Sequence, residues 1–266
     1  MKSLCSILFL SCVLFSCGQR TSSPPTRIIY SEKVKDSFEI YINAPQKIDT
    51  NKKLSVFYYM DANLKSGKKL REMIAKPEFA DKVSKIIFVG IGHIGDFHVL
   101  RRRDFILPEI NNGDTVAASA TYGQIENFYQ FLKTELIPMI DSTYRTNSKD
   151  NSIMGHSLGG LFAFYCLFKN EPLFKNMYAL SPSLWVDNYA IYKFNRLTKD
   201  SLNKKNLYFS CGGLEIFNRI KTGTKEMDQF LQKQNYPGVS YKYEIHSGKT
   251  HNSQVENSLD FILKQK

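Results

Sequence analysis

The chain has 266 residues and carries 36 Lys and Arg against 25 Asp and Glu, which gives a formal net charge of +11 at pH 7. A surface of that sign favours anionic membranes or acidic substrates. Because the basic residues are scattered through helices and loops, with no aromatic-interleaved basic stripe, the sequence argues against nucleic-acid binding.

The N-terminal segment has the layout of a secretory signal. Lys2 precedes an apolar run over residues 4–15, which is too short to span a bilayer. Cys17 follows a small residue, as in the bacterial lipoprotein box, and a polar stretch comes after it. We expect a signal peptide over residues 1–16, lipidation of Cys17 and a tether over residues 17–30; Cys12 as the lipidated residue and an ordinary signal peptide are the alternatives. The protein would then be lipid-anchored in a bacterial cell envelope, in the periplasm or at the cell surface.

Residues 31–266 are long enough for one domain with a full α/β core. The thiols of Cys166 and Cys211 lie in apolar segments, so two buried free cysteines are expected, with a disulfide as the alternative. No Cys/His cluster has the spacing of metal ligands, and we expect no metal or cofactor.

In the first half of the domain, alternating apolar residues predict an antiparallel edge strand over residues 37–44. Continuous apolar runs predict strands covered on both faces. The remaining predictions are strands over residues 54–60 and 85–92 and helices over 72–85 and 126–140. Residues 92–122 show no period and predict a long loop that is either disordered or functional.

The second half alternates strands with helices, which predicts a mostly parallel sheet with helices on both faces. Catalytic groups should lie in loops after the carboxyl ends of the strands. We expect a short apolar strand that begins at residue 152, strands over residues 177–180, 207–211 and 240–246, and helices over 158–167, 225–234 and 253–263.

Residues 152–160 predict a nucleophile elbow, because a short apolar strand leads into Gly-x-Ser-x-Gly and then directly into an apolar helix. Ser157 would stand on the sharp turn, flanked two positions away by Gly155 and Gly159. The amide of Leu158, at the start of the helix, would bind an oxyanion.

Of the five histidines, His251 is the candidate general base, since it lies on the loop where the last strand should approach the elbow. His156 adjoins the nucleophile and is expected to point away from the pocket as a packing residue. His246 is in phase with the polar face of its strand, which predicts a solvated side chain. His93 and His98 lie in the long loop.

The third catalytic residue must be a carboxylate that orients the imidazole, in a strand-end loop between the serine and the histidine. Two acidic residues follow strands at the correct end. Glu215 comes directly after a strand and two glycines and is favoured, and Asp187 is the alternative.

Six motifs in order resemble one family of α/β hydrolases, the Putative esterase family. They are Tyr59-Met60-Asp61-Ala62, Arg103-Asp104-Phe105, Glu135-Leu136-Ile137-Pro138, Gly155-His156-Ser157-Leu158-Gly159-Gly160, Ser181-Pro182-Ser183-Leu184-Trp185 and Thr250-His251-Asn252. The resemblance spans residues 37–263 and implies an α/β-hydrolase fold. Members include siderophore esterases, feruloyl and acetyl carbohydrate esterases, S-formylglutathione hydrolase and mycolyltransferases. The resemblance also implies that a backbone amide after Asp61 completes the oxyanion hole with the amide of Leu158; Asn63 is favoured and Ala62 is the alternative.

The sequence therefore predicts a serine carboxylic-ester hydrolase that forms an acyl-enzyme with a bulky polar ester, either siderophore-type or a carbohydrate acyl or feruloyl ester. No insertion is large enough for a lid domain. Arg103 lies in the basic run of residues 101–103 and is expected to contact an anionic group of a small-molecule or glycan substrate; a solvated basic loop is the alternative. Trp185 is expected to contact an aryl or sugar ring, and a role in capping the core is the alternative. Two other functions stay open: an acyltransferase of mycolyltransferase type and a non-catalytic ligand-binding lipoprotein.

Overall fold

A computed structural model describes residues 25–45, 52–108, 110–111, 114–115, 121–199, 204–216 and 219–266. The expected signal peptide and lipidated Cys17 lie outside the described residues. Of the expected tether over residues 17–30, the last four residues lie in the first strand of the sheet. The folded domain thus begins earlier than residue 31.

One main sheet organises the fold, and it is antiparallel only at one end. Its order is β1-β2-β4-β3-β7-β8-β9-β10, with β2 antiparallel to both β1 and β4 and the other neighbours parallel. A separate hairpin is formed by β5 and β6. The strands are β1 (Arg27–Ser31), β2 (Asp36–Asn43), β3 (Ser55–Met60), β4 (Ile86–His93), β5 (Ile110–Asn111), β6 (Asp114–Thr115), β7 (Ser152–His156), β8 (Asn176–Leu180), β9 (Lys205–Gly212) and β10 (Val239–His246).

The helices connect the strands and cover the sheet. They are α1 (Lys65–Ile74), α2 (Ala80–Val83), α3 (Phe97–Phe105), α4 (Ile125–Phe131), α5 (Ile137–Thr143), α6 (Leu158–Phe168), α7 (Val186–Phe194), α8 (Ile220–Gln234) and α9 (Gln254–Lys264). A π-helical stretch, Leu132–Leu136, joins α4 to α5. Single 3₁₀ turns occur at Pro77–Phe79 and Ser148–Asp150.

Apolar side chains of the central strands are buried on both faces of the sheet. In β3, Val56 and Tyr58 belong to the larger hydrophobic cluster, which α4 and α6 complete, whereas Phe57 and Tyr59 belong to a second cluster with α1 and α9. Since successive strand residues point to opposite faces, the two clusters lie on the two sides of the sheet. The predicted α/β-hydrolase fold, with helices on both faces, is confirmed.

Two predicted elements differ in position. The strand predicted over residues 37–44 is antiparallel, but it is not at the edge, because β1 pairs along its outer side. The helix predicted over residues 72–85 begins at Lys65 and ends at Ile74. Pro77 cannot continue an α-helix, which explains the break, and the buried positions Leu70, Met73 and Ile74 have helical spacing.

The segment predicted as a long loop contains α3, which the apolar pattern does not reveal. Asp96 caps the helix by accepting a hydrogen bond from the His98 amide at 2.9 Å. Arg103 and Asp104 are buried on this helix along with Phe105. Because two of the three buried positions are charged, the helix has no hydrophobic stripe to detect.

Two further observations concern thiols and helices. Cys166 and Cys211 are buried free thiols, as predicted. None of the helices within the described ranges is long and apolar enough to cross a membrane.

Candidate active site

The backbone at Ser157 forms a tight turn between β7 and α6. Ser157 has φ 61° and ψ −117°, a region that costs a non-glycine residue roughly 1–3 kcal/mol. A Cβ atom at Gly155 would lie 2.0 Å from the Gly159 carbonyl oxygen, so the turn requires glycine there. The Ser157 amide donates to the Leu180 carbonyl at 2.9 Å, and the Ser183 amide donates to the Ser157 carbonyl at 3.1 Å. The turn is thereby fastened to the end of β8.

Glu215 and His251 form a close pair at the carboxyl ends of β9 and β10. Nδ1 of His251 lies 2.6 Å from Oε2 of Glu215, whose side chain is 1% exposed. The other carboxylate oxygen accepts hydrogen bonds from the Ser181 hydroxyl and the Gly212 amide, each at 2.6 Å. Burial opposes ionisation of Glu215, but the bonds from His251, Ser181 and Gly212 outweigh it and hold the pKa of this carboxyl below its usual value. Glu215 is therefore ionised at neutral pH.

Ser157 and His251 line the same cleft, which has a volume of about 540 Å³. The described lining residues are Asp61, Asn63, Leu64, Lys65, Ser66, Lys68, Phe97, His98, Arg101, His156, Ser157, His251 and Asn252. The Ser157 hydroxyl lies 3.2 Å from the hydroxyl of Ser183, a contact that the sequence analysis did not anticipate. The structure thus brings the predicted serine, histidine and glutamate to one site.

The two candidate amides after Asp61 differ in their hydrogen bonding. The Ala62 amide donates to the Ile91 carbonyl at 3.0 Å, so it is occupied. Asn63 lines the cleft, and its side-chain amide donates to the His93 carbonyl at 2.8 Å, which holds the residue against the end of β4. Leu158 is the first residue of α6, where a backbone N–H has no partner within the helix. Asn63 and Leu158 are the better candidates for the oxyanion hole.

Asp61 and Arg101 form a partly buried ion pair beside the turn at Ser157. The guanidinium contacts both carboxylate oxygens, at 2.8 and 2.9 Å, and donates to the His156 carbonyl at 3.1 Å. Asp61 has φ 58°, and it stands immediately before the candidate oxyanion loop. Arg101 therefore connects that loop to the end of β7, the strand that directly precedes Ser157.

Arg103 does not line the cleft. Its guanidinium contacts Asp104 at 2.7 and 2.9 Å and Asp36 at 2.7 Å, and the residue is 7% exposed. Asp104 also contacts the buried His93, at 2.9 Å. Because these groups compensate one another beneath the surface, we assign Arg103 no contact with substrate. The cationic contact with substrate that the sequence predicts must therefore come from a residue other than Arg103.

His156 contradicts the expectation that it points away from the pocket. It lines the cleft, and its Nε2 lies 2.9 Å from the backbone carbonyl oxygen of His251. The two imidazole rings lie 4.3 Å apart between centroids. Burial, together with the neighbouring His251, lowers the pKa of His156 to about 3, so its ring is neutral at physiological pH.

The remaining candidates lie outside the cleft. His246, which was predicted to be solvated, is half-buried: its Nε2 contacts the Ser258 hydroxyl of α9 at 3.0 Å. Asp187, the alternative acid, accepts a hydrogen bond from the Tyr122 hydroxyl. Trp185 is 38% exposed just before α7, and its contact with substrate stays a prediction.

Comparison with known proteins agrees with this fold. The sequence profile of the Putative esterase family matches residues 31–256. Ferri-bacillibactin esterase BesA of Bacillus subtilis is 28% identical over 256 residues, which cover 89% of this chain and 88% of that protein. Siderophore triacetylfusarinine C esterase of Aspergillus fumigatus is 29% identical over 107 residues, which cover 40% of this chain and 35% of that protein. The crystal structure of the BES protein from Bacillus cereus superposes with a TM-score of 0.78 at 25% identity, covering 92% of this chain and 96% of that one.

The profile match spans most of the domain and includes the elbow, the strand-end glutamate and the histidine loop. The chain therefore belongs to the Putative esterase family of α/β hydrolases, and it is a carboxylic ester hydrolase.

Proposed function

We propose that the chain hydrolyses a siderophore-type carboxylic ester through a covalent acyl-enzyme, with Ser157 as the nucleophile and His251 as the base. The observation that carries the proposal is the contact between buried Glu215 and His251, because His251 lines the same cleft as a serine on a strained turn. The relatives whose names state a substrate, ferri-bacillibactin and the siderophore triacetylfusarinine C, support the substrate class.

The first half-reaction would transfer the acyl group to the enzyme. The Ser157 oxygen attacks the ester carbonyl carbon while Nε2 of His251 takes the hydroxyl proton. The amides of Leu158 and Asn63 bind the oxyanion. The intermediate then collapses, the bond to the alcohol oxygen breaks, and His251 gives its proton to the departing alcohol.

The second half-reaction would consume one water. His251 takes a proton from the water as its oxygen attacks the acyl carbon, and the bond to Ser157 breaks as its oxygen regains that proton. The products are a carboxylic acid and the free enzyme. In both steps Glu215 accepts from Nδ1 of His251, which leaves Nε2 facing the reaction and stabilises the imidazolium that forms transiently.

The nucleophile can be tested by covalent labelling. A fluorophosphonate should label the native protein on Ser157, as read by peptide mass spectrometry, and Ser157→Ala should abolish both labelling and hydrolysis of p-nitrophenyl esters. Ser142→Ala, on the exposed side of α5, is the matched control and should keep full activity. Native protein that is folded but neither labelled nor active would overturn the proposal and favour a non-catalytic binding protein.

The substrate class needs a separate measurement. We expect kcat/KM to be higher for catecholate siderophore esters than for feruloyl or acetylated sugar esters in a direct panel. Product analysis with an added sugar acceptor distinguishes hydrolysis from acyl transfer. Preferential esterification of the sugar would show that the acyltransferase alternative is correct.

We also propose that the protein is held in a bacterial cell envelope through lipid on Cys17. The support is the sequence alone: an apolar run ending in a small residue before this cysteine, followed by a polar stretch. Metabolic labelling with an alkyne fatty acid should mark the native protein and not Cys17→Ser. Unchanged labelling in that variant would point to Cys12, and an unlabelled native protein would contradict the lipid anchor.

A further inference from the structure

A second cleft adjoins the catalytic one, between α1 and the loop that carries His251. Its volume is about 610 Å³, and it shares Lys65, Ser66, Lys68 and Asn252 with the catalytic cleft. The two form a single trough that runs from the nucleophile turn along α1 to the start of α9. A substrate larger than the catalytic cleft would extend into this trough.

The trough has an excess of positive charge. Five cationic side chains line it, Lys65, Lys68, Lys69, Arg101 and Lys249, against three carboxylates, Asp61, Glu72 and Glu256. Arg101 is neutralised by Asp61. Lys69 lies between the other two carboxylates, 3.5 Å from Glu72 and 3.6 Å from Glu256.

Three lysines of the trough have no carboxylate partner among the residues that the structure describes. Within the part of the chain that the structure describes, Lys65, Lys68 and Lys249 form no ion pair. Lys65 and Lys68 are exposed at the trough wall, and Lys249 is half-buried. These three ammonium groups are therefore available to a ligand that enters from the catalytic cleft.

The placement of two of these lysines opposes the stability of their own helix. Lys65 is the first residue of α1, Lys68 is one turn further, and the first turn contains no acidic residue. The N-terminus of a helix carries partial positive charge, so cations there are unfavourable and anions favourable. Leu64 at the N-cap also supplies no side-chain acceptor. An anionic ligand at this position would relieve both defects.

We propose that Lys65, Lys68 and Lys249 form an anion subsite that binds the part of the substrate carrying two or more negative charges. The inference rests on the proposed ester hydrolysis, because the subsite would hold one end of the ester while Ser157 attacks its carbonyl. It also replaces Arg103 as the source of the cationic contact that the sequence predicts. A polyanionic ester is thus bound in preference to a neutral one of similar shape.

Two acetate esters of the same ring system separate the effect of charge from that of shape. The acetate ester of hydroxypyrene is neutral, whereas the acetate ester of pyranine, its trisulfonated form, is anionic. The test variant is Lys65→Gln with Lys68→Gln and Lys249→Gln. The control carries Lys82→Gln, Lys225→Gln and Lys233→Gln, three exposed lysines on α2 and α8 that give the same change in net charge. Since all but Lys249 are exposed, both variants should fold.

We expect the test variant to lose on the order of tenfold in kcat/KM on the charged ester, because focused charge enhances binding by at least that factor. The neutral ester should be turned over as by the native enzyme, and the control should retain its preference for the charged ester. Added salt should lower kcat/KM on the charged ester for the native enzyme more than for the test variant. An unchanged ratio between the two esters, or an equal loss in the control, would overturn the subsite.

A binding measurement keeps the two proposals distinct. Pyranine itself, without an ester bond, should bind to Ser157→Ala, and its fluorescence anisotropy should show a roughly tenfold weaker Kd when the three lysines are also replaced. Equal Kd values would overturn the subsite. If pyranine binding depends on the three lysines but the native protein has no esterase activity, the proposed function is overturned and the anion subsite is not.

Discussion

Nε2 of His156 lies 2.9 Å from the backbone carbonyl oxygen of His251, although the two residues are 95 positions apart. A carbonyl oxygen only accepts, so Nε2 carries the proton and donates. His156 directly precedes Ser157, the proposed nucleophile, and its ring packs on that of His251, the proposed base. One residue therefore fixes the position of the histidine loop relative to the serine, in a site where small displacements slow the reaction.

Replacing His156 should impair turnover more than binding. His156→Phe keeps a ring of similar shape without the donor, and His156→Gln keeps an N–H donor. We expect kcat of the Phe variant to fall about 10- to 100-fold with KM nearly unchanged, because a misplaced base affects the reacting geometry. The Gln variant should recover part of that loss. Steady-state kinetics on a p-nitrophenyl ester would measure both, and equal activity of the two variants would show that the hydrogen bond has no positioning role.

The burial of His156 also predicts how stability depends on pH. Its pKa is about 3 in the folded protein against an ordinary value of 6.5, so the unfolded chain binds one more proton between these values. Stability should therefore fall as pH decreases from 6.5 towards 3, with a slope from this residue of up to about 1.4 kcal/mol per pH unit. Urea denaturation of native protein and His156→Gln should show a shallower pH dependence for the variant. Parallel curves would contradict the prediction.

Glu215 should matter for catalysis, whereas Asp187 should not. Glu215→Gln removes the charge that orients His251 and should lower kcat on the order of 10²- to 10⁴-fold. Asp187→Asn, whose side chain contacts Tyr122, is the matched control and should stay within a few-fold of native activity. Full activity of Glu215→Gln would show that serine and histidine suffice.

The same variant tests the ionisation of Glu215. Its pKa is lowered on folding, so the ionised group contributes stability above the ordinary pKa of 4.5 and loses it as pH falls through the lower folded value. The stability difference between native protein and Glu215→Gln should therefore be constant at neutral pH and shrink below about pH 4.5. Denaturation at pH 7 and at pH 4 would measure it, and a difference independent of pH would contradict the prediction.

The Asp61–Arg101 pair should act through the oxyanion loop. Arg101→Lys keeps the charge but cannot contact both carboxylate oxygens and the His156 carbonyl together. We expect the rate of fluorophosphonate labelling of Ser157 to fall about tenfold or more, since one misplaced oxyanion donor costs up to 10²- to 10³-fold. Arg102→Lys, at an exposed position one residue away, is the control. A changed KM with an unchanged rate of labelling would instead indicate that Arg101 has a role in binding substrate.

The sequence by itself determined the parts of the site that depend on neighbouring residues. A strand, a Gly-flanked serine and a helix are adjacent in the chain, and their steric requirements are local, so residues 152–160 predict the turn that the structure shows. The carboxyl ends of parallel strands meet at one edge of a sheet, which is why Glu215 and His251 could be named from strand order alone. The α/β-hydrolase fold follows from the same alternation of strands and helices.

Only the tertiary structure decided which charges are used within the fold and which face the cleft. Arg101 and Arg103 look alike in sequence, yet the first pairs with a residue 40 positions away and the second with one 67 positions away. The position of His156 next to Ser157 predicts that it packs away from the pocket, and this prediction is wrong because its contact with His251 depends on long-range packing. Burial makes an unpaired charge costly, so long-range packing determines which cations are compensated. Among the described residues, it leaves Lys65, Lys68 and Lys249 without a carboxylate partner.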